Sequence, residues 1–169
     1  MARARVAILL GSDSDWTVME VCYTTLRELD VPARVEILSA HRTPDKLRES
    51  IFSFEEQGIE VFIAGAGMSA ALPGAVAAYT ARPVIGVPLA SGPLQGVDSL
   101  LSMVQMPPGV PVATMAIGAA GAKNAALLAT QMLALGDPRL AEALKKFKSI
   151  QVETVDKKNQ TLRERHGLG

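Results

Sequence analysis

The chain has 169 residues, enough for one domain with a substantial core. Lysine plus arginine and aspartate plus glutamate both number 17, so the net charge is zero; this argues against a broad basic field for nucleic acid or a polybasic membrane patch, while small local phosphates stay eligible as ligands. The lone cysteine, Cys22, excludes an intramolecular disulfide, no apolar run reaches membrane-spanning length, and Val6 to Leu10 is too short for a signal-peptide core, so a soluble, cytoplasmic protein is expected. The pattern then alternates strand and helix. A strand over Arg5 to Leu10 precedes a helix from about Asp15 to Leu29. A second strand, Ala33 to Leu38, leads through Ser39-Ala40-His41-Arg42 into a helix from Pro44 to about Gln57, with Thr43 placed to cap it, Pro44 at its first position and Gly58 past its end. A third strand, Ile59 to Ala64, is followed by a Gly/Ala-rich turn and a helix near Pro73 to Tyr79. A fourth, Pro83 to Val87, gives way to a looser segment with a helical stretch near Val97 to Val104. A fifth strand over Val110 to Ile117 and a small-residue helix from Ala122 to Leu135 complete the alternation. Gly136-Asp137-Pro138 breaks that helix and restarts a polar, amphipathic one. Short apolar strands alternating with helices imply a single α/β domain over 1–169: a doubly wound, flavodoxin-like parallel sheet with helices on both faces, and a C-terminal helix and tail over 138–165.

In such sheets ligands bind beyond the C-terminal ends of the strands, and that is where the chemistry-bearing residues fall. His41 and Arg42 place a proton-transfer group beside a fixed cation at a strand end, next to a helix N-terminus. After the first strand, Gly11-Ser12-Asp13-Ser14-Asp15 combines hydroxyls with free helix N–H groups, a setting for an anion. A carboxylate there repels phosphate and suits acceptance from sugar hydroxyls, although helix capping alone would account for one such residue. No metal site is expected, because no further carboxylates cluster near this Asp-x-Asp pair in the sequence. Gly65-Ala66-Gly67-Met68-Ser69-Ala70 fits the G-x-G-x-x-A dinucleotide fingerprint. It follows the third strand rather than the first, and no acid lies where one should hold the ribose, so backbone groups approaching a small ligand are the better reading. The segment Ala90 to Gly96 reads as a loop over the site, either a lid or a plain surface loop.

These segments together resemble the 5-(carboxyamino)imidazole ribonucleotide mutase family of purine biosynthesis. The likeness rests on Gly11-Ser12-Asp13-Ser14-Asp15, Ser39-Ala40-His41-Arg42-Thr43-Pro44, Ala64-Gly65-Ala66-Gly67, Leu72-Pro73-Gly74, Gly86-Val87-Pro88, Gly96-Val97-Asp98-Ser99-Leu100 and Val104-Gln105-Met106-Pro107, with Asn124 to Ala129 beyond them. It runs in order from Val6 to Leu135. The resemblance implies an enzyme that moves a carboxylate from the exocyclic nitrogen of an aminoimidazole ribonucleotide to ring carbon 4, through release and recapture of carbon dioxide, with no metal or organic cofactor. It implies His41 as the acid/base group. Ser12, Asp15 and Arg42 match substrate-binding positions; Arg42 suits the 5′-phosphate and Asp15 the ribose. Ser14 and Ser39 would add phosphate hydrogen bonds, and Ala66 and Gly67 would offer backbone groups to the base or the migrating carboxylate.

One loop departs from the pattern. The mutases usually read Gly-Ala-Gly-Gly-Ala-Ala-His-Leu-Pro-Gly where this chain has Gly65-Ala66-Gly67-Met68-Ser69-Ala70-Ala71-Leu72-Pro73-Gly74. Met68 to Leu72 leans toward the related carboxylases, which act on aminoimidazole ribonucleotide and free carbon dioxide. A nicotinamide-binding oxidoreductase and a non-catalytic nucleotide-binding module are the more distant rivals. The resemblance also implies a homo-octamer with sites at subunit interfaces. The Ala/Gly-rich segments and the Leu140, Leu144, Phe147 face of the C-terminal helix fit that implication, although this face could equally cover its own domain.

Overall fold

A computed structural model describes residues 3–168. The apolar runs form five parallel strands: β1 (Val6–Leu10), β2 (Ala33–Ile37), β3 (Val61–Gly67), β4 (Val84–Leu89) and β5 (Ala113–Thr114), in the order β2-β1-β3-β4-β5. Six helices connect and follow them: α1 (Trp16–Glu28), α2 (Pro44–Glu56), α3 (Leu72–Tyr79), α4 (Val97–Val104), α5 (Ala119–Ala134) and α6 (Pro138–His166). This is the doubly wound, flavodoxin-like arrangement, with its switch point where β1 parts the flanking strands β2 and β3.

Strand alternation sends side chains to two separate cores. Val6, Ile8 and Leu10 of β1, with Ile63 and Val87, pack beneath α1 and α5 against Met19, Cys22, Leu26 and the alanines Ala122, Ala125, Ala126 and Ala129. Ala7 and Leu9, with Phe62 and Ala64, face the other way and meet Leu47, Ile51 and Phe54 of α2 and Val76 of α3. The central strands β1, β3 and β4 are covered on both faces, which is why they read as unbroken apolar runs.

Several boundaries differ from the sequence reading. β3 runs on to Gly67, so the first half of the expected Gly/Ala turn is strand. β5 spans two residues rather than eight. It is an edge strand, Pro111 lacks a donor, and beyond Thr114 contact with β4 continues only as Met115 N–H to Gly86 O and Gly118 N–H to Pro88 O, both 2.9 Å. Thr43 occupies the N-cap of α2, but its hydroxyl does not cap. It donates to Ser39 O and accepts from Ser39 N–H, both at 3.1 Å, closing the β2–α2 loop on itself. Gly58 does follow α2 with φ +88°, as a terminating glycine should.

The C-terminal helix is one continuous piece from Pro138 to His166, so the span 138–165 is helix throughout and holds no tail. Asp137 starts it, accepting from Arg139 N–H at 3.2 Å while its other oxygen takes a 2.9 Å bond from Arg5. Hydrogen bonds from the Arg139 side chain, and then from its backbone N–H and from Arg5, hold the Asp137 carboxyl below the usual carboxylate range. Leu140 is buried, and Leu144 and Phe147 pack on the core under α5, so this face covers its own domain. From Lys148 onward every described residue is exposed.

Candidate active site

Four loops at the C-terminal ends of β1 to β4 enclose a cleft of about 550 Å³ at the switch point. Its lining brings together every residue singled out from the sequence: Ser12, Ser14 and Asp15 after β1, Ser39, His41 and Arg42 after β2, and Ala66 and Gly67 at the end of β3. Residues spread from position 12 to position 67 thus meet because parallel strands deliver all their C-termini to one edge.

The β1 loop is held by its own polar groups. A 3₁₀ turn over Asp13–Asp15 leads into α1. The Asp15 carboxylate reaches back to accept from Ser12 N–H at 2.9 Å. Asp15 is buried, which raises its pKa; hydrogen bonds from the Ser12 and Gly11 backbone pull the other way. Ser14 donates its hydroxyl to Ser12 Oγ at 3.1 Å, and Ser12 donates to Asp13 at 2.9 Å. That last bond and the Ser14 backbone lower the pKa of the exposed Asp13 carboxyl. The result is a carboxylate facing inward beside a relay of hydroxyls.

Arg42 bridges the β1 and β2 loops. Its Nη2 donates to Gly11 O at 3.0 Å, and its Nε donates to Ser39 Oγ at 3.3 Å. Ser39 Oγ also accepts from Arg42 N–H at 3.2 Å, so this serine buttresses the arginine and keeps only its own proton to offer a ligand. His41 is the exposed residue just before this anchored cation, on the rim of the cleft. The geometry sets a fixed positive charge and donors for an anion beside a carboxylate for hydroxyl groups, with an imidazole able to move a proton between them.

Residues the sequence reading did not assign as contacts also line the cleft. Met68, Ser69, Ala70, Ala71 and Leu72 form the lip contributed by the β3–α3 loop, and Ser91 is the single contribution of the β4–α4 loop. Met68 and Ala70 have φ of +55° and +38°, a left-handed conformation uncommon for residues with a side chain. The rule that strand-end loops bind ligands would have pointed to the whole segment after β4, but not to Ser91 within it. Among the described residues no group of three or more His, Cys, Asp or Glu side chains could hold a metal ion, and no helix is long and apolar enough to cross a membrane.

The AIR carboxylase family model matches residues 5–154, almost the whole of this fold. The chain belongs to that family. The N5-carboxyaminoimidazole ribonucleotide mutase of Escherichia coli K12 is 55 % identical over 152 residues, which cover 90 % of each chain. The mutase of the same name from Mycobacterium tuberculosis H37Rv is 50 % identical over 165 residues, 98 % of this chain and 94 % of that one. Among solved structures, the PurE crystal structure from Treponema denticola superposes with a TM-score of 0.85 at 28 % identity, covering 94 % of this chain and 98 % of that one. In this AIR carboxylase family member the cleft at the switch point holds all the residues to which the sequence resemblance gave roles.

Proposed function

We propose that this chain moves the carboxylate of 5-(carboxyamino)imidazole ribonucleotide from the exocyclic nitrogen to ring carbon 4, giving 4-carboxy-5-aminoimidazole ribonucleotide. The observation that carries this reading is the convergence of His41, Arg42, Asp15 and the loop serines on one cleft. Its setting is a chain at least half identical to mutases over about nine-tenths of its length.

The chemistry follows from the residues. Arg42, already oriented by Gly11 and Ser39, takes the 5′-phosphate with hydroxyl donors from Ser14 and Ser39. Asp15 accepts from the ribose hydroxyls, which places the base over Ala66 and Gly67. Protonated His41 donates to the exocyclic nitrogen as the N–C bond to the carboxylate breaks and carbon dioxide leaves. The electron-rich ring then attacks carbon dioxide through carbon 4, and His41, now neutral, takes the proton from that carbon. One imidazole serves both steps because the proton it gives up in the first is replaced by the one it takes in the second. No part of this sequence calls for a metal or organic cofactor.

A second reading, carboxylation of aminoimidazole ribonucleotide by free carbon dioxide, draws on Met68 and Ala71, which both line the cleft where the mutases usually carry glycine and histidine. The two separate in one assay: each nucleotide supplied alone, in degassed and in carbon-dioxide-loaded buffer. A mutase turns over the carboxyamino nucleotide in both buffers. Turnover only of aminoimidazole ribonucleotide with carbon dioxide would overturn the first reading in favour of the second.

The working form we propose is a cytoplasmic homo-octamer. Val97, Leu101 and Val104 make an apolar stripe on one face of α4, each about half exposed, and Ile150, Val152, Val155 and Leu162 are exposed on the outer part of α6. Faces of this kind call for a covering partner.

A further inference from the structure

Ser91 stands apart from the other polar residues of the cleft. It follows β4, on the far side of β3 from β2 and β1, whose loops carry Arg42 and Asp15. Its one hydrogen bond among the described residues runs from its backbone N–H to Leu89 O at 2.9 Å, which leaves the hydroxyl free. Its place depends on Gly67: a Cβ at residue 67 would sit 2.4 Å from Ser91 Oγ and 2.6 Å from Ser91 Cβ, so only a glycine admits this side chain. The loop that carries it is pinned at its base. The buried Ser99 hydroxyl lies 3.0 Å from Leu89 O and 2.9 Å from Gly96 O, within donating reach of both ends of the 90–96 segment. A half-buried hydroxyl without an internal partner, seated by a missing side chain and held on a pinned loop, is a preorganised donor.

We propose that Ser91 is a substrate contact whose hydroxyl donates to the migrating carboxylate. This rests on the function argued above, and the order of the strands carries it. With the phosphate on the β2 loop and the ribose on the β1 loop, the base extends over β3 toward β4. The carboxyl group is the one anionic part of the substrate left for that end, where Ser91 meets it beside the backbone of Gly67. Its departure as neutral carbon dioxide weakens the bond, and its return as carboxylate restores it.

The test compares two ligands that differ only in that group. Ser91→Ala should bind 4-carboxy-5-aminoimidazole ribonucleotide roughly 10- to 100-fold more weakly, the range for one hydrogen bond to a charged acceptor. Its affinity for aminoimidazole ribonucleotide, which lacks the carboxylate, should stay within about twofold of wild type, since that contact is absent from the complex. Gly67→Ala, which displaces the serine but also alters a residue beneath the base, should weaken both nucleotides, and the carboxylated one more. Adding Ser91→Ala to it should widen that difference little further, because both remove one interaction. Ser91→Thr, which keeps the hydroxyl, should recover most of the affinity. Equal losses for the two nucleotides, or no loss, would overturn the proposal while leaving the reaction assay of the parent enzyme intact. If the parent enzyme turned over neither nucleotide, the functional reading itself would fail.

Discussion

His41 stands on the rim of the cleft while Arg42, one residue on, is bonded to both the β1 and the β2 loops. Neighbours in sequence are therefore placed differently, one at the open rim and one fixed between two loops. His41→Asn should lower turnover by roughly 10²–10⁴, the span for a lost general acid/base, with nucleotide binding and the thermal melt retained. Near-normal turnover in that folded variant would remove His41 from the mechanism. Arg42→Ala should weaken the nucleotide by about 1.5–3 kcal/mol and the matching nucleoside hardly at all, because only the former carries the phosphate; titration of both ligands checks this. Cys22 gives a pH prediction. Burial pushes its thiol up to about 12, from an ordinary value near 9. The unfolded chain therefore loses this proton first as pH rises, and the stability tied to the neutral thiol is full below 9 and declines toward 12. Urea midpoints at about pH 8 and about pH 10 should fall further apart for the parent protein than for Cys22→Ala. Much of the site was legible at this scale because parallel strands must present their C-terminal loops together. Ser91 was not, since sequence cannot say which of seven loop residues turns inward when a glycine on another strand, Gly67, makes the space.

Elements differ in how openly the sequence states them. β1, β3 and β4 were plain as short apolar runs between turns, and α2 was marked by Pro44 and Gly58. β5 misled because apolar content alone does not make a strand: Val110 to Ile117 is only partly buried, and strand pairing at an edge depends on donors that Pro111 and the departing backbone do not supply. The continuation of α6 to His166 was hidden for the opposite reason: its outer half is polar and lacks a core-facing stripe dense enough to mark it. α5 shows how small residues act at element scale. A Cβ added at Gly121 would lie 1.7 Å from Ala116 O, so this helix starts against backbone that cannot yield cheaply. Gly121→Ala should cost about 1–3 kcal/mol or more in denaturant unfolding. Gly136→Ala, with nothing within 4 Å of the added atom, should stay within about 0.5 kcal/mol. Equal costs at the two glycines would mean that chain flexibility, rather than the close approach, sets the effect.

For the whole molecule, the two exposed apolar faces ask for neighbours. Light scattering at micromolar concentration should give the mass of an octamer. Leu101→Glu together with Val104→Glu should shift it to smaller species, since burying two carboxylates in an apolar contact is costly. A mass unaffected by these changes would place the α4 stripe outside the assembly. The outer part of α6 has a further consequence. About twenty residues at 1.5 Å each make a rod of roughly 30 Å that leaves the body of the protein. A solitary chain gives those turns no packing to offset the entropy of holding them straight, and most helical stability in proteins comes from such packing. In a dilute solution of separated subunits the rod should therefore fray from its outer end, and only contact with another subunit would keep it straight. The far end of the chain should thus act as a gauge of crowding by its own kind, its order rising and falling with company while the sheet beneath stays unchanged.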